Sequence, residues 1–232
     1  MVVDNKDRLI FALDVPEVDQ AKQLVSELGT TVSFYKIGME LMMTGNYFDL
    51  LDWLVEKDKN VFVDLKLFDV PATVSKAVKR LSKRGAYFTT VHGNQSMMEA
   101  AAAEKGDLKV LAVTALTSLD QGDLNDMGFT CDIQELVISR AKRALSSGCD
   151  GIVASGLELE HIRNEVDQKL VIVTPGIRPV LNRPTDDQKR VVTVEQAFEW
   201  GANHIVVGRP IKDAVNPREA AELIQESIAN SI

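Results

Sequence analysis

Val61-Phe62-Val63-Asp64-Leu65-Lys66-Leu67-Phe68-Asp69-Val70-Pro71-Ala72-Thr73 opens as an apolar run and closes on an acid, a base and a second acid. A short apolar run rich in β-branched and aromatic residues reads as a buried strand. Pro71, near the first turn of the helical pattern from Thr73 to Arg80, marks the passage from strand to helix. Successive strand side chains point to opposite faces, so Asp64 and Lys66 share one face while Val61, Val63 and Leu65 supply the other. Asp69 falls in the turn before Pro71, where a third charge can swing toward the same pair. Buried charges are costly unless paired, so the pattern is either a structural ion pair or the working part of a site.

The same strand-then-helix unit recurs on both sides of this stretch. Leu9 to Asp14 with Glu17 to Leu28 is the first, and Val32 to Lys36 with a helix from about Glu40 to Lys57 is the second. The central stretch, with its helix to about Arg84, is the third, and Tyr87 to His92 with Met97 to Lys105 is the fourth. Leu108 to Thr114 leads through a polar loop to a helix from about Ile133 to Ser146. Gly151 to Ala154, Leu170 to Thr174 and His204 to Val207 read as the last three strands, with a helix running to the C-terminus. Eight such units in 232 residues predict a single (β/α)8 TIM barrel, one domain spanning 1–232. A doubly wound open sheet is the alternative, and the first strand is not followed by its GxGxxG turn. Two connections, Ala115 to Cys131 and Pro175 to Val191, are long enough to read as functional loops, and the second is expected to be mobile.

A formal net charge of −8 argues against nucleic-acid or anionic-membrane surfaces, which need clustered cations. Cys131 and Cys149 lie far from any CxxC spacing, so neither a disulfide framework nor a zinc site is expected. The first eight residues carry Asp4, Lys6, Asp7 and Arg8 rather than an apolar core, and no run of about 18 apolar residues occurs. A soluble protein of a reducing, cytoplasmic compartment is the expectation.

In barrels of this kind the C-terminal strand ends build the active site. Asp14, Lys36, Asp64, Lys66 and His92 end the first four strands, and together they alternate acid and base around one rim. Solvated rim charges are the plain alternative for Asp14 and Lys36 taken singly. Val206-Val207-Gly208-Arg209-Pro210 ends the eighth strand, where glycine permits close approach of an anion and arginine can grip it bidentately. Gln188, in the loop after the seventh strand, can add a neutral donor. His92 alone reads more readily as a hydrogen-bonded structural residue than as a catalyst.

The sequence Asp64-x-Lys66-x-x-Asp69-x-Pro71-x-Thr73 comes with Leu13-Asp14, Lys36-Ile37-Gly38, Thr117-Ser118, Thr174-Pro175-Gly176-Ile177-Arg178-Pro179 and Val207-Gly208-Arg209-Pro210. In these motifs, from about Leu9 to Ile211, the chain resembles the orotidine 5'-monophosphate decarboxylases. The resemblance implies a barrel that works as a homodimer and converts orotidine 5'-monophosphate to UMP and CO2 in pyrimidine synthesis, without metal or organic cofactor. It implies that Lys66 protonates C6 of the pyrimidine and that Asp64 sits beside the departing carboxylate. Asp69 and Thr73 would be lent to the partner's site, while Asp14 and Lys36 hold ribose hydroxyls and Thr117 with Ser118 recognises the pyrimidine edge. Gln188, Gly208 and Arg209 would grip the phosphate, with Arg178 near the same loop. Two competitors stand beside this reading. One is a Mg2+-dependent keto-sugar-phosphate decarboxylase or synthase using the carboxylates as oxygen ligands. The other is a non-catalytic barrel that only binds a sugar phosphate.

Overall fold

Eight parallel strands close into a barrel in the order of the sequence, in a computed structural model that describes residues 3–178 and 191–232. The strands are β1 (Leu9–Ala12), β2 (Phe34–Ile37), β3 (Asn60–Leu67), β4 (Phe88–His92), β5 (Lys109–Val113), β6 (Gly151–Val153), β7 (Val171–Thr174) and β8 (His204–Val207). The TIM barrel expected from the repeat is the fold observed.

Alternation along the strands sorts the apolar residues into two cores. Ile10, Ala12, Phe34, Phe62, Phe88, Leu111, Val173 and Val206 fill the interior, while Leu9, Phe11, Tyr35, Val61, Val63 and Val110 face the helices. Phe34 stacks on Phe88 with ring centroids 5.5 Å apart, and Phe62 meets Phe88 edge-on at 5.9 Å. His204 closes the floor against both Phe34 and Phe88. Above this floor the inward positions turn polar: Phe62 is succeeded by Asp64, and Phe88 by Thr90.

The surrounding helices are α1 (Val18–Leu28), α2 (Met39–Met42), α3 (Tyr47–Glu56), α4 (Pro71–Leu81), α5 (Gln95–Glu104), α6 (Gln121–Asp126), α7 (Ile133–Ser146), α8 (Leu159–Glu165), α9 (Val194–Glu199), α10 (Arg209–Lys212) and α11 (Pro217–Asn230). Pro71 takes the first helical position of α4, and Val74, Val78 and Leu81 form its buried stripe.

Several boundaries differ from expectation. The helix expected from Glu40 to Lys57 is two, α2 and α3, because Gly45 takes φ +89° between them and turns the chain. The helix after β8 likewise divides, α11 restarting at Pro217 with the Asn216 side chain accepting the N–H of Glu219. The connection after β5 is partly helical, since Asp120 and Asp123 cap α6 reciprocally. The short helices α8 and α9 were not expected. Of the connection after β7, residues 179–190 lie outside the described residues, and Gln188 with them. Among the described residues no helix is long and apolar enough to cross a membrane, and Cys131 and Cys149 are free thiols.

Candidate active site

The strand ends surround a cavity of about 540 Å3 at the C-terminal mouth of the barrel. Asp14, Lys36, Asp64, Lys66, Thr117, Ser118, Arg178, Gly208 and Arg209 all line it. Nine of the residues singled out from sequence are thereby brought together from six separate segments of the chain, those ending or following β1, β2, β3, β5, β7 and β8.

The charges form a chain rather than a cluster. Lys36 Nζ donates to Asp14 Oδ1 at 2.9 Å and lies 3.9 Å from Asp64 Oδ2. Lys66 Nζ donates to the same Asp64 Oδ2 at 2.8 Å. Asp64 Oδ1 accepts the Thr90 hydroxyl at 2.9 Å. Burial alone would push the Asp64 carboxyl up, but Lys36 and Lys66 beside it, with the hydrogen bonds from Lys66 and Thr90, hold it below the usual carboxylate range.

The expected neighbourhood of Asp64 and Lys66 is realised, but not by regular alternation. From Val63 to Leu67 strand β3 advances four residues while β4, from Thr89 to Val91, advances two. Lys66 sits inside this bulge at φ +47°. Bulges re-aim side chains next to active sites, and this one turns the ammonium back onto Asp64.

Asp69 and Thr73 are not brought to the cavity of their own chain. Both are exposed, and Asp69 Oδ1 accepts the N–H of Val70 at 2.6 Å. The expectation that Asp69 swings toward Asp64 and Lys66 within one chain is therefore corrected: Pro71 starts α4 directly after this turn, and the chain leaves the rim before the carboxylate can return. His92 packs edge-on against Phe68, centroids 5.0 Å apart, so its visible contact is structural. Burial lowers its pKa, reinforced by the cations Arg140 and Lys66.

At the other side of the mouth, Gly208 precedes α10, and a Cβ there would stand 3.4 Å from Ala12 Cβ and 3.9 Å from Asp14 Oδ2. Arg209 opens α10, and Arg178 donates to the carbonyl of Ile177 at 2.8 Å. Lys212, which sequence reasoning missed, lines the same wall and donates to the Asp14 carbonyl at 3.0 Å. The signal was available, since residues three apart on a helix share a face and Lys212 follows Arg209 by three. Thr90 was also missed; its sign was a polar residue on the inward parity of an apolar strand. Among the described residues no three His, Cys, Asp or Glu side chains are grouped as a metal-ligand set.

Residues 7–224 match the family model described as "Orotidine 5'-phosphate decarboxylase / HUMPS family". A protein of Methylococcus capsulatus named orotidine 5'-phosphate decarboxylase is 66% identical, over 96% of this chain and 92% of its own length. One of the same name from Stenotrophomonas maltophilia is 51% identical, over 97% and 94%. The crystal structure of orotidine 5'-phosphate decarboxylase from Lactobacillus acidophilus superposes with a TM-score of 0.85 at 35% identity, covering 96% of this chain and 99% of that one.

Proposed function

The chain belongs to the orotidine 5'-phosphate decarboxylase / HUMPS family, and from that premise we propose that it converts orotidine 5'-monophosphate to UMP and CO2, the last step of UMP synthesis, with Lys66 as the acid. The observation that carries this reading is the unbroken chain Asp14, Lys36, Asp64, Lys66 at the mouth, facing Gly208 and Arg209 across one cavity.

Breaking the C6–CO2 bond leaves an electron pair on a vinylic carbon with no adjacent carbonyl to accept it, so a preorganised positive group must stabilise it. Lys66 supplies both the charge and the proton: the pair on C6 takes a proton from the ammonium, CO2 departs, and solvent restores the lysine. Asp64 orients Lys66 through the 2.8 Å contact and lies beside the departing carboxylate. Lys36 and Asp14 hold the ribose hydroxyls, and Thr117 with Ser118 meets the pyrimidine edge. Arg209 and the Gly208 amide bind the phosphate, with Arg178 beside them and Gln188 as a further donor. Binding energy at the phosphate, remote from C6, contributes to catalysis when it is used to enclose the reacting end.

The site is completed by a second copy of the chain. Asp69 and Thr73 stand exposed on a rim where the flanking Phe68 and Val70 are more than 60% exposed, an apolar surround that a homodimer would cover while handing Asp69 to the partner's Lys66. The Mg2+-dependent keto-sugar-phosphate reaction is less well supported, because Asp14 and Asp64, the strand-end carboxylates of the cavity, are each engaged by ammonium groups at 2.8 to 2.9 Å.

The test is the ultraviolet absorbance of orotidine 5'-monophosphate after addition of the protein, in plain buffer and with excess EDTA. Loss of the orotate chromophore with UMP as product, unaffected by EDTA, is the expected result. A folded protein that leaves the chromophore intact, or one silenced by EDTA, would overturn the reading.

A further inference from the structure

Thr90 stands on β4 beside the reacting pair with no surface exposed. Its hydroxyl donates to Asp64 Oδ1 at 2.9 Å and accepts the backbone N–H of Lys66 at 2.9 Å. The direction of both bonds is fixed by chemistry, because a peptide N–H can only donate and a hydroxyl has one proton to give. With Oδ1 committed to Thr90, Oδ2 is left for the ammonium groups of Lys66 and Lys36 at 2.8 and 3.9 Å. The second bond holds an uncommon backbone: Lys66, at φ +47°, occupies the left-handed region within the β3 bulge, and its N–H goes to this side chain.

Burial in β4 does not by itself confer such partners. Thr89, the preceding residue and equally buried, has a hydroxyl with no partner. Nor does Thr90 line the cavity.

The geometry points to Thr90 as a positioning residue of the decarboxylation: one hydroxyl sets the rotamer of Asp64 and pins the bulge that aims Lys66, without touching the ligand. The inference rests on Lys66 and Asp64 being the reacting pair of the proposed function. Displacing a catalytic group by an ångström can cost on the order of a hundredfold in rate, while substrate binding, made through Arg209, Lys36 and Asp14, is untouched.

The test compares Thr90→Val, which keeps the shape and removes the hydroxyl, with Thr90→Ser, which keeps the hydroxyl, and with Thr89→Val as the neighbouring control. Thr90→Val should lower kcat by about tenfold or more with KM within about threefold, and Thr90→Ser should return kcat to within about threefold of the wild type. A smaller fall, a fall of equal size in Thr90→Ser or Thr89→Val, or a loss expressed in KM alone overturns the inference. If the valine protein does not fold, Thr90→Ala removes the same hydroxyl and takes its place under the same criteria. Amide hydrogen exchange at Lys66 reads the clamp without substrate: exchange should quicken by about tenfold or more when the hydroxyl is removed and stay slow in Thr90→Ser. Wild-type protein inert toward orotidine 5'-monophosphate would defeat the proposed function, and the exchange comparison would still decide the clamp, unchanged protection counting against it.

Discussion

Asp64→Asn tests whether the charge chain is a satisfied network or a store of strain. The substitution preserves shape but replaces Oδ2, 2.8 Å from Lys66 Nζ and 3.9 Å from Lys36 Nζ, with a group that cannot balance two ammonium ions. At an effective dielectric constant of about 20 these separations correspond to gross attractions of about 6 and 4 kcal/mol. Taking Asp64 out of water offsets much of that, and removing one partner of a buried pair typically costs about 3 to 5 kcal/mol. Lys66 is 35% exposed along its side chain, so solvent screens its share and the lower end applies, about 3 kcal/mol. For a chain of this length that corresponds to a fall in Tm of about 6 to 12 °C. The pH dependence has a definite sign. The Asp64 carboxyl is held below its ordinary range, so its contribution is fully present above the unfolded-state value of about 3.9 and is lost as pH falls through the folded value. Urea unfolding of both proteins from pH 4 to 8 should therefore show a constant gap above about pH 5 that narrows below it. A variant as stable as the wild type at pH 7, or more stable, would refute the reasoning and make Asp64 a carboxylate held against its preference.

His204 gives a second pH signature, of the same sign as that of Asp64 but displaced to higher pH. Its ring is buried beneath Phe34 and Phe88, Nε2 has no partner, and burial lowers its pKa from 6.5 to about 4. The neutral form is the one the fold accepts, so stability is lost as pH falls from 6.5 toward 4, by about 3 kcal/mol, and His204→Phe should remove that component from the unfolding profile. At Gly38 an added Cβ would stand 3.2 Å from Lys36 Nζ, so Gly38→Ala should displace the ammonium from Asp14, raising KM for orotidine 5'-monophosphate by about tenfold with Tm changed by only a few degrees. Unaltered kinetics would show that Lys36 can give way freely. Mixed Lys66→Ala and Asp69→Ala proteins, each inactive alone, should regain activity in heterodimers, where one composite site is intact; verified subunit exchange without activity would rule out sharing.

What the sequence made legible, and what it did not, divides along physical lines. Eight apolar runs alternating with helical patterns suffice for a closed barrel, because alternation and the two buried faces are local properties of each strand. Asp14, Lys36, Asp64 and Lys66 could be placed on one rim for the same reason. The bulge at Lys66 could not, since nothing in Asp64-Leu65-Lys66-Leu67 departs from an ordinary strand; the distortion is accompanied by an acceptor that Thr90 supplies from the next strand. Asp69 escaped for a complementary reason. Its direction is set by how abruptly α4 begins at Pro71, a matter of turn geometry rather than of residue type. Helices α8 and α9, of seven and six residues, are too short to show a stripe of their own and are held by tertiary packing of Leu159, Ile162, Val194 and Ala197.

The arrangement of charge around the mouth explains why so polar a cavity is compatible with a stable barrel. Along the arc from β1 to β3, Asp14 and Asp64 balance Lys36 and Lys66, each within hydrogen-bonding reach of its opposite, which offsets part of the cost of desolvating them. Glu40 stands exposed at the edge of the cavity. Along the arc after β7 and β8 three cationic side chains, Arg178, Arg209 and Lys212, line the wall. In the proposed reaction, the dianionic phosphate of the substrate would be held at this second arc and its pyrimidine end delivered to the first. There the substrate carboxylate would meet Asp64, which opposes it, and Lys66, whose charge is already shared with Asp64. On that proposal, loss of the carboxylate as CO2 would move the negative charge onto C6, toward Lys66 and away from Asp64, so that the same fixed charges become favourable as the bond breaks. Holding those charges in place is then the structural task that the proposed role of Thr90 assigns to a strand bulge and to a buried hydroxyl that does not line the cavity.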